Sequence, residues 1–175
     1  MIICAGKKES IDGALAVGIG LIDTAIELTR ICLQEIPKEI IFIGSAGSYG
    51  KYDIFDIVES SKASNIEISS LYQQSYSPLS NIISIEDVSH ETNEIVNSSN
   101  FITTDYNAAR KFQELGMMIE NMEFYSVLKV CDSFNIKAKG IFVITNKCNK
   151  SAHSDFLRNH NKAKELMENI VNEYR

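Results

Sequence analysis

The sequence predicts an α/β protein with three layers, α/β/α, around a mixed, largely parallel central sheet. Three observations carry that reading. The run Ile40 to Ile43 is apolar without alternation, as in a strand covered on both faces. Short apolar runs of this kind alternate with segments whose apolar residues recur at helical spacing. The chain then closes on an amphipathic segment carrying Phe156, Leu157, Ala163, Leu166, Met167, Ile170 and Val171 on one stripe.

The elements follow in order. Ile2 to Ala5 and Ala14 to Ile19 read as two strands joined by a turn through the polar stretch GKKESIDG. From Leu21 to Leu33 the apolar positions 21, 22, 25, 26, 28, 32 and 33 give a helix, with Pro37 beyond its end. After Ile40 to Ile43 the strand is expected to stop at a loop of small residues, Gly44-Ser45-Ala46-Gly47. Ile54 to Val58, Ile66 to Ile68, Ile82 to Ile85 and Ile95 to Ile102 read as further strands, with Ser, Asn and Pro78 marking the connections. Thr104 and Asp105 offer an N-cap to a helix bearing Ala108, Ala109, Phe112 and Leu115, closed by Gly116. A helix from about Met122 to Phe134 and a strand from Gly140 to Thr145 precede the last helix. No internal repeat or low-complexity tract interrupts the order, so residues 1–175 are read as a single domain.

Bulk properties narrow the function. A chain of 175 residues with 45% hydrophobic content buries roughly two-thirds of its unfolded surface. Seventeen basic against twenty-three acidic side chains give a net charge of −6, and no window gathers Lys and Arg among aromatics. Nucleic acid and anionic membranes are therefore excluded as expected partners. Cys4, Cys32, Cys131 and Cys148 are scattered without C-x-x-C spacing, which reads as reduced thiols in a cytoplasmic protein. The apolar stretch Gly13 to Ile22 lacks a cationic flank and a cleavage pattern, and falls short of the ~20 residues that span a bilayer.

In such a sheet, ligands gather at the carboxyl ends of strands. That singles out Gly18-Ile19-Gly20, Gly44 to Gly47, Asn100-Phe101-Ile102 and Thr145-Asn146, together with Glu123 in "IENMEFYS". Each has a plain structural reading. Gly18 and Gly20 lack the third glycine of a dinucleotide fingerprint and the P-loop lysine, and so read first as packing glycines. Glu123 would favour a helix dipole, Phe101 could be core, and Asn146 could be a turn residue. Among the histidines, His90 lies in a polar stretch and reads as solvated, and His153 is the one best placed to approach a ligand near Asn146. No spacing suggests a metal or another cofactor. Glu9, following the first predicted strand, reads as a solvated turn residue.

Taken in order, "VGIGLIDTAIEL", "FIGSAGSYGKYDIFDIVES", "NSSNFITTD", "NMEFYSVLKVCDSFNIKAKGIFVITN" and "SAHSDFLRNHNKAKELMENIV" resemble successive segments of the nucleoside phosphorylase and nucleosidase superfamily. The resemblance covers about residues 14 to 172. It implies a purine nucleoside as the bound small molecule, with cleavage of its N-glycosidic bond by phosphorolysis or hydrolysis, and phosphate as the possible co-substrate. It implies that Ser45, Ala46 and Gly47 lie beside the ribose and the anion or water site, and that Phe101 stacks on the base while the Ile102 backbone bonds its edge. Met122 would pack under the sugar and Glu123 would accept from its hydroxyls.

The chain departs from that pattern in three places. Asn146 stands where the family's hexameric phosphorylases and its nucleosidases carry an acidic aspartate; trimeric phosphorylases carry asparagine there. Phe142 stands where an arginine is expected. The first strand and helix of the family pattern, with the glutamate that activates water, have no evident match, although Glu9 could substitute. With only Arg30, Arg110, Arg158 and Arg175 in the chain, anion binding would rely on loop N–H groups, lysine, or an arginine from another subunit of a homo-oligomer. The alternative implied is a catalytically impaired relative that binds nucleosides or assists assembly.

Overall fold

The computed structural model describes residues 1–85 and 94–175; His90 lies outside them. The chain runs β1 (Ile2–Cys4), a 3-10 turn (Lys7–Glu9), β2 (Leu15–Ala16), α1 (Gly20–Gln34), β3 (Glu39–Ser48), β4 (Ile57–Ser60) and β5 (Lys62–Ser64). It continues with α2 (Ile68–Leu71), β6 (Ile82–Ser84), β7 (Ile95–Asn97), α3 (Tyr106–Glu114), β8 (Met117–Glu120), α4 (Phe124–Ser133), β9 (Lys137–Lys147) and α5 (Ala152–Glu173). The strands form one sheet in the order β2-β1-β3-β8-β7-β5-β6, with β9 pairing with both β3 and β4. Its pairings are mostly parallel. β3 runs beside β1 and β9 in parallel, while β3–β8, β4–β9 and β5–β6 are antiparallel.

The two central strands explain the three layers by their own period of two. Ile40 and Phe42 of β3 and Phe142 and Ile144 of β9 turn to one face, where they pack with Leu28 and Cys32 of α1 and Phe124, Val127 and Leu128 of α4. Ile41, Ile43, Ile141 and Val143 turn to the other face and meet Ala163, Met167, Ile170 and Val171 of α5. Both faces of β3 and β9 are thus buried, which is why their sequences show no polar alternation. Phe142 is fully buried, its ring 5.9 Å from that of Phe42 and edge-on to Phe124 at 5.1 Å. A Cβ at Gly140 would come within 2.5 Å of the Phe142 ring and 2.7 Å of the Phe124 ring, so this aromatic cluster requires glycine. The position where an arginine is expected is therefore a core position here.

Several elements differ from expectation. β1 and β2 pair in parallel, Ile3 with Leu15 and Cys4 with Ala16, with the 3-10 turn in the connection between them. β3 does not stop at Gly44. It runs to Ser48 and stays paired with β9 along that length, with a register shift between Ala46 and Gly47. Ile66 lies in a connection and Ile68 opens a short helix; the strand nearby is Lys62–Ser64, whose Ser64 hydroxyl donates to Asn97 Oδ1 at 2.9 Å. Polar pairing rather than an apolar run marks that strand. β4 lies three residues later than expected, β7 ends at Asn97, and β8 has no expected counterpart because four residues show too little of a period.

Candidate active site

The carboxyl ends of β3 and β9, the β7–α3 connection and the amino ends of α4 and α5 surround one cavity of about 230 Å³. Ser45, Ala46, Gly47, Phe101, Ile102, Met122, Glu123 and Asn146 all line it. These eight positions thus share a single cavity with Thr145, whereas Gly18, Ile19, Gly20, Gly44 and Asn100, also singled out from the sequence, lie outside its lining. Phe101 and Ile102 are not core residues: they are 73% and 49% exposed and form its outer wall. Sequence reasoning passed over Ser99, Glu120, Asn121 and Phe156 as wall residues and read Glu9 first as a solvated turn residue; His153 also lines the cavity.

Glu9 corrects the sequence reading. It lines the cavity at the end of the 3-10 turn, and the Ser45 hydroxyl donates a short hydrogen bond to its Oε1. Burial raises its pKa; the Ser45 bond and nearby His160 oppose this less strongly. A glutamate five residues past a short strand carries no periodic signal, so only the parallel β1–β3 pairing makes its position evident.

Glu123 stands just before the first turn of α4 and is 2% exposed. Its Oε1 accepts from the Gly20 N–H at 2.8 Å, and Asn100 Oδ1 accepts from the Leu21 N–H at 2.9 Å. Side chains remote in sequence thereby cap the orphan donors of α1, whose own N-terminus has no side-chain cap. Gly20 has φ +77°, and a Cβ there would meet Asn100 Oδ1 at 2.6 Å. The packing reading of this glycine is the correct one. Burial pushes Glu123 up to about 7, the Gly20 N–H opposes that, and the Glu9 carboxylate adds to it.

Asn121 holds α4 in place. Its Oδ1 accepts from the Glu123 and Phe124 N–H groups at 2.9 and 3.0 Å, while its Nδ2 donates to Ser45 O at 3.0 Å. One amide thus ties the helix start to the strand that carries the small residues.

At the far end of the cavity, Thr145 Oγ1 lies 3.0 Å from Asn146 Oδ1 and 3.3 Å from Ala46 O. This orients the Asn146 amide with its oxygen toward Thr145 and its NH₂ away. A Cβ on Gly47 would stand 3.0 Å from Asn146 Nδ2, 3.0 Å from Cys148 Sγ and 3.2 Å from Glu120 Cγ. The small residues of β3 are therefore not a loop but the floor of the cavity, kept bare because neighbouring strands bring side chains over it. Among the described residues lining the cavity, three are glutamates and none is Lys or Arg. Such a lining stabilises developing positive charge and repels anions. The described residues show no group of three or more His, Cys, Asp or Glu that could hold a metal, and no helix long and apolar enough to cross a membrane.

The structure is thus a mixed sheet between helical layers, with a carboxylate-lined cavity at its strand ends. The chain belongs to the phosphorylase superfamily, whose family model matches residues 2–174. Solved structures share its fold at low identity. A mutant methylthioadenosine nucleosidase from Helicobacter pylori, with 5'-methylthioadenosine in its active site, superposes with a TM-score of 0.77 at 16% identity, covering 91% of this chain and 78% of that one. Futalosine hydrolase from the same organism gives 0.76 at 16% identity, covering 91% and 76%. The 5'-methylthioadenosine/S-adenosylhomocysteine nucleosidase from Streptococcus pneumoniae, bound to a transition-state inhibitor, gives 0.76 at 12% identity, covering 97% and 94%. No curated protein matches the sequence.

Proposed function

We propose that the protein hydrolyses the N-glycosidic bond of a purine nucleoside. The observation that carries this reading is the pair Glu9 and Glu123 on one cavity wall with no Lys or Arg among the described lining residues. A phosphate dianion would face two carboxylates there, whereas a neutral water is the nucleophile that a carboxylate can activate. Glu9, positioned by the Ser45 hydroxyl, takes the proton of that water. Glu123 accepts from the ribose hydroxyls, and in its ionised form offsets the positive charge that grows on the sugar as the bond breaks. Phe101 offers a flat face to the base, Ile102 offers backbone to its edge, and Met122 packs under the sugar. The Asn146 NH₂ donates to N7 and orients the base without protonating it. Nucleosidases and a futalosine hydrolase among the structures of similar fold support the class of reaction.

Asn146 also favours a second reading, in which the chain binds a nucleoside without cleaving it. Purified protein incubated with methylthioadenosine, adenosine and inosine, with and without phosphate, separates the readings by base release. Phosphate-independent release is the expected outcome. Release only with phosphate would refute hydrolysis, and saturable binding with no release would favour the second reading.

A further inference from the structure

We infer that Glu120 is the acid that protonates the departing purine, replacing from β8 what Asn146 cannot supply. The inference rests on the hydrolytic reading above. A purine leaves as a neutral base only if a proton reaches it, and an amide has none to give. Gly47 is flanked in the sheet by Asn146 on one side and Glu120 on the other. Both side chains lean over the bare backbone of Gly47, within 3.0 and 3.2 Å of the point its Cβ would occupy. A base whose N7 meets Asn146 on that floor therefore lies within reach of Glu120 as well.

The remaining acids of the cavity have other roles, Glu9 toward the water and Glu123 toward the ribose, and lie away from Gly47. Glu9 is bonded to Ser45, and Glu123 to the Gly20 N–H. Glu120 is held by the Thr103 N–H, which donates to its Oε1 at 3.0 Å, and by Tyr49 and Cys148 beside it. Those two are the titratable groups that face it. Burial keeps both neutral by raising them well above their usual values. Lys147, the nearest cation to Cys148, is paired with Asp53 at 2.9 Å. With neutral neighbours, burial outweighs the hydrogen bonds and raises the Glu120 pKa too, so that it holds a proton to higher pH than an ordinary carboxyl.

In the step itself, the Asn146 NH₂ gives N7 up to Glu120, whose proton passes to it while the C1'–N9 bond breaks and its electron pair leaves with the base. The oxygen of water bonds to C1' and its proton goes to Glu9. A proton returning through solvent from Glu9 to Glu120 closes the cycle.

The test compares wild type, Glu120→Gln and His153→Gln on methylthioadenosine and on 4-nitrophenyl β-D-ribofuranoside, whose leaving group departs without protonation. Glu120→Gln is expected to lower kcat on the nucleoside by about 100-fold or more with KM little changed. It should also remove the fall of kcat at high pH and leave nitrophenol release within a few-fold of wild type. An equal loss on both substrates, a surviving alkaline limb, an unchanged kcat, or this same signature in His153→Gln instead would overturn the assignment. No base release by wild type would refute the hydrolytic reading itself, and the assignment with it.

Discussion

At the scale of single residues, the site depends on a side chain that is missing. Gly47 leaves room between Asn146, Cys148 and Glu120, and any Cβ there would press on all three. Gly47→Ala is expected to weaken nucleoside binding at least about tenfold, equivalent to about 1.4 kcal/mol, while the thermal midpoint moves only a few degrees; isothermal titration and a melt measure both. The eight candidate positions were legible from strand-end placement together with the order of five segments resembling a known superfamily, since each residue alone has a plain structural use. Glu9 and Glu120 were not. Glu9 lies in a polar turn and Glu120 at the end of a four-residue strand, and each becomes a wall residue only through pairings with strands more than thirty residues away.

At the scale of elements, α4 begins where Asn121 caps it and where the same amide holds Ser45 O. Asn121→Ala is expected to cost about 1–2 kcal/mol of stability, seen as a lower denaturant midpoint at unchanged slope. It should also weaken ligand binding, because Glu123 follows the helix start. The long helices α1, α3, α4 and α5, unlike the four-residue α2, were legible in the sequence, α3 also from Asp105, whose side chain caps it as expected. The short strands β5 and β8 were not, since three or four residues hold too little pattern to distinguish a strand from a connection. The small-residue stretch of β3 was misread for the opposite reason: glycines that signal a turn elsewhere serve here to admit neighbouring side chains.

At the scale of the molecule, three acids buried around one cavity make stability depend on pH. Glu123 titrates at about 7 in the folded chain against an ordinary 4.5, and Glu9 and Glu120 are shifted the same way. The folded state binds these protons more tightly than the unfolded chain does. Their contribution is complete below about pH 4.5 and is lost as pH rises through 7. The thermal midpoint should therefore fall across that window. Glu123→Gln, which is neutral at every pH, should flatten the fall; an identical slope in the variant would contradict the shift. The three-layer order was legible from Ile40 to Ile43 and the alternating helices, because burial on both faces leaves a continuous apolar run.

The capping of α1 by Glu123 and Asn100 makes the outer layer answerable to the cavity. Glu123 lines the cavity and accepts from the amide of Gly20, so it cannot be displaced or replaced without altering how the first turn of α1 is anchored. A change at Glu123 is therefore expected to reach the first turn of α1, where Ile22 and Asp23 stand exposed.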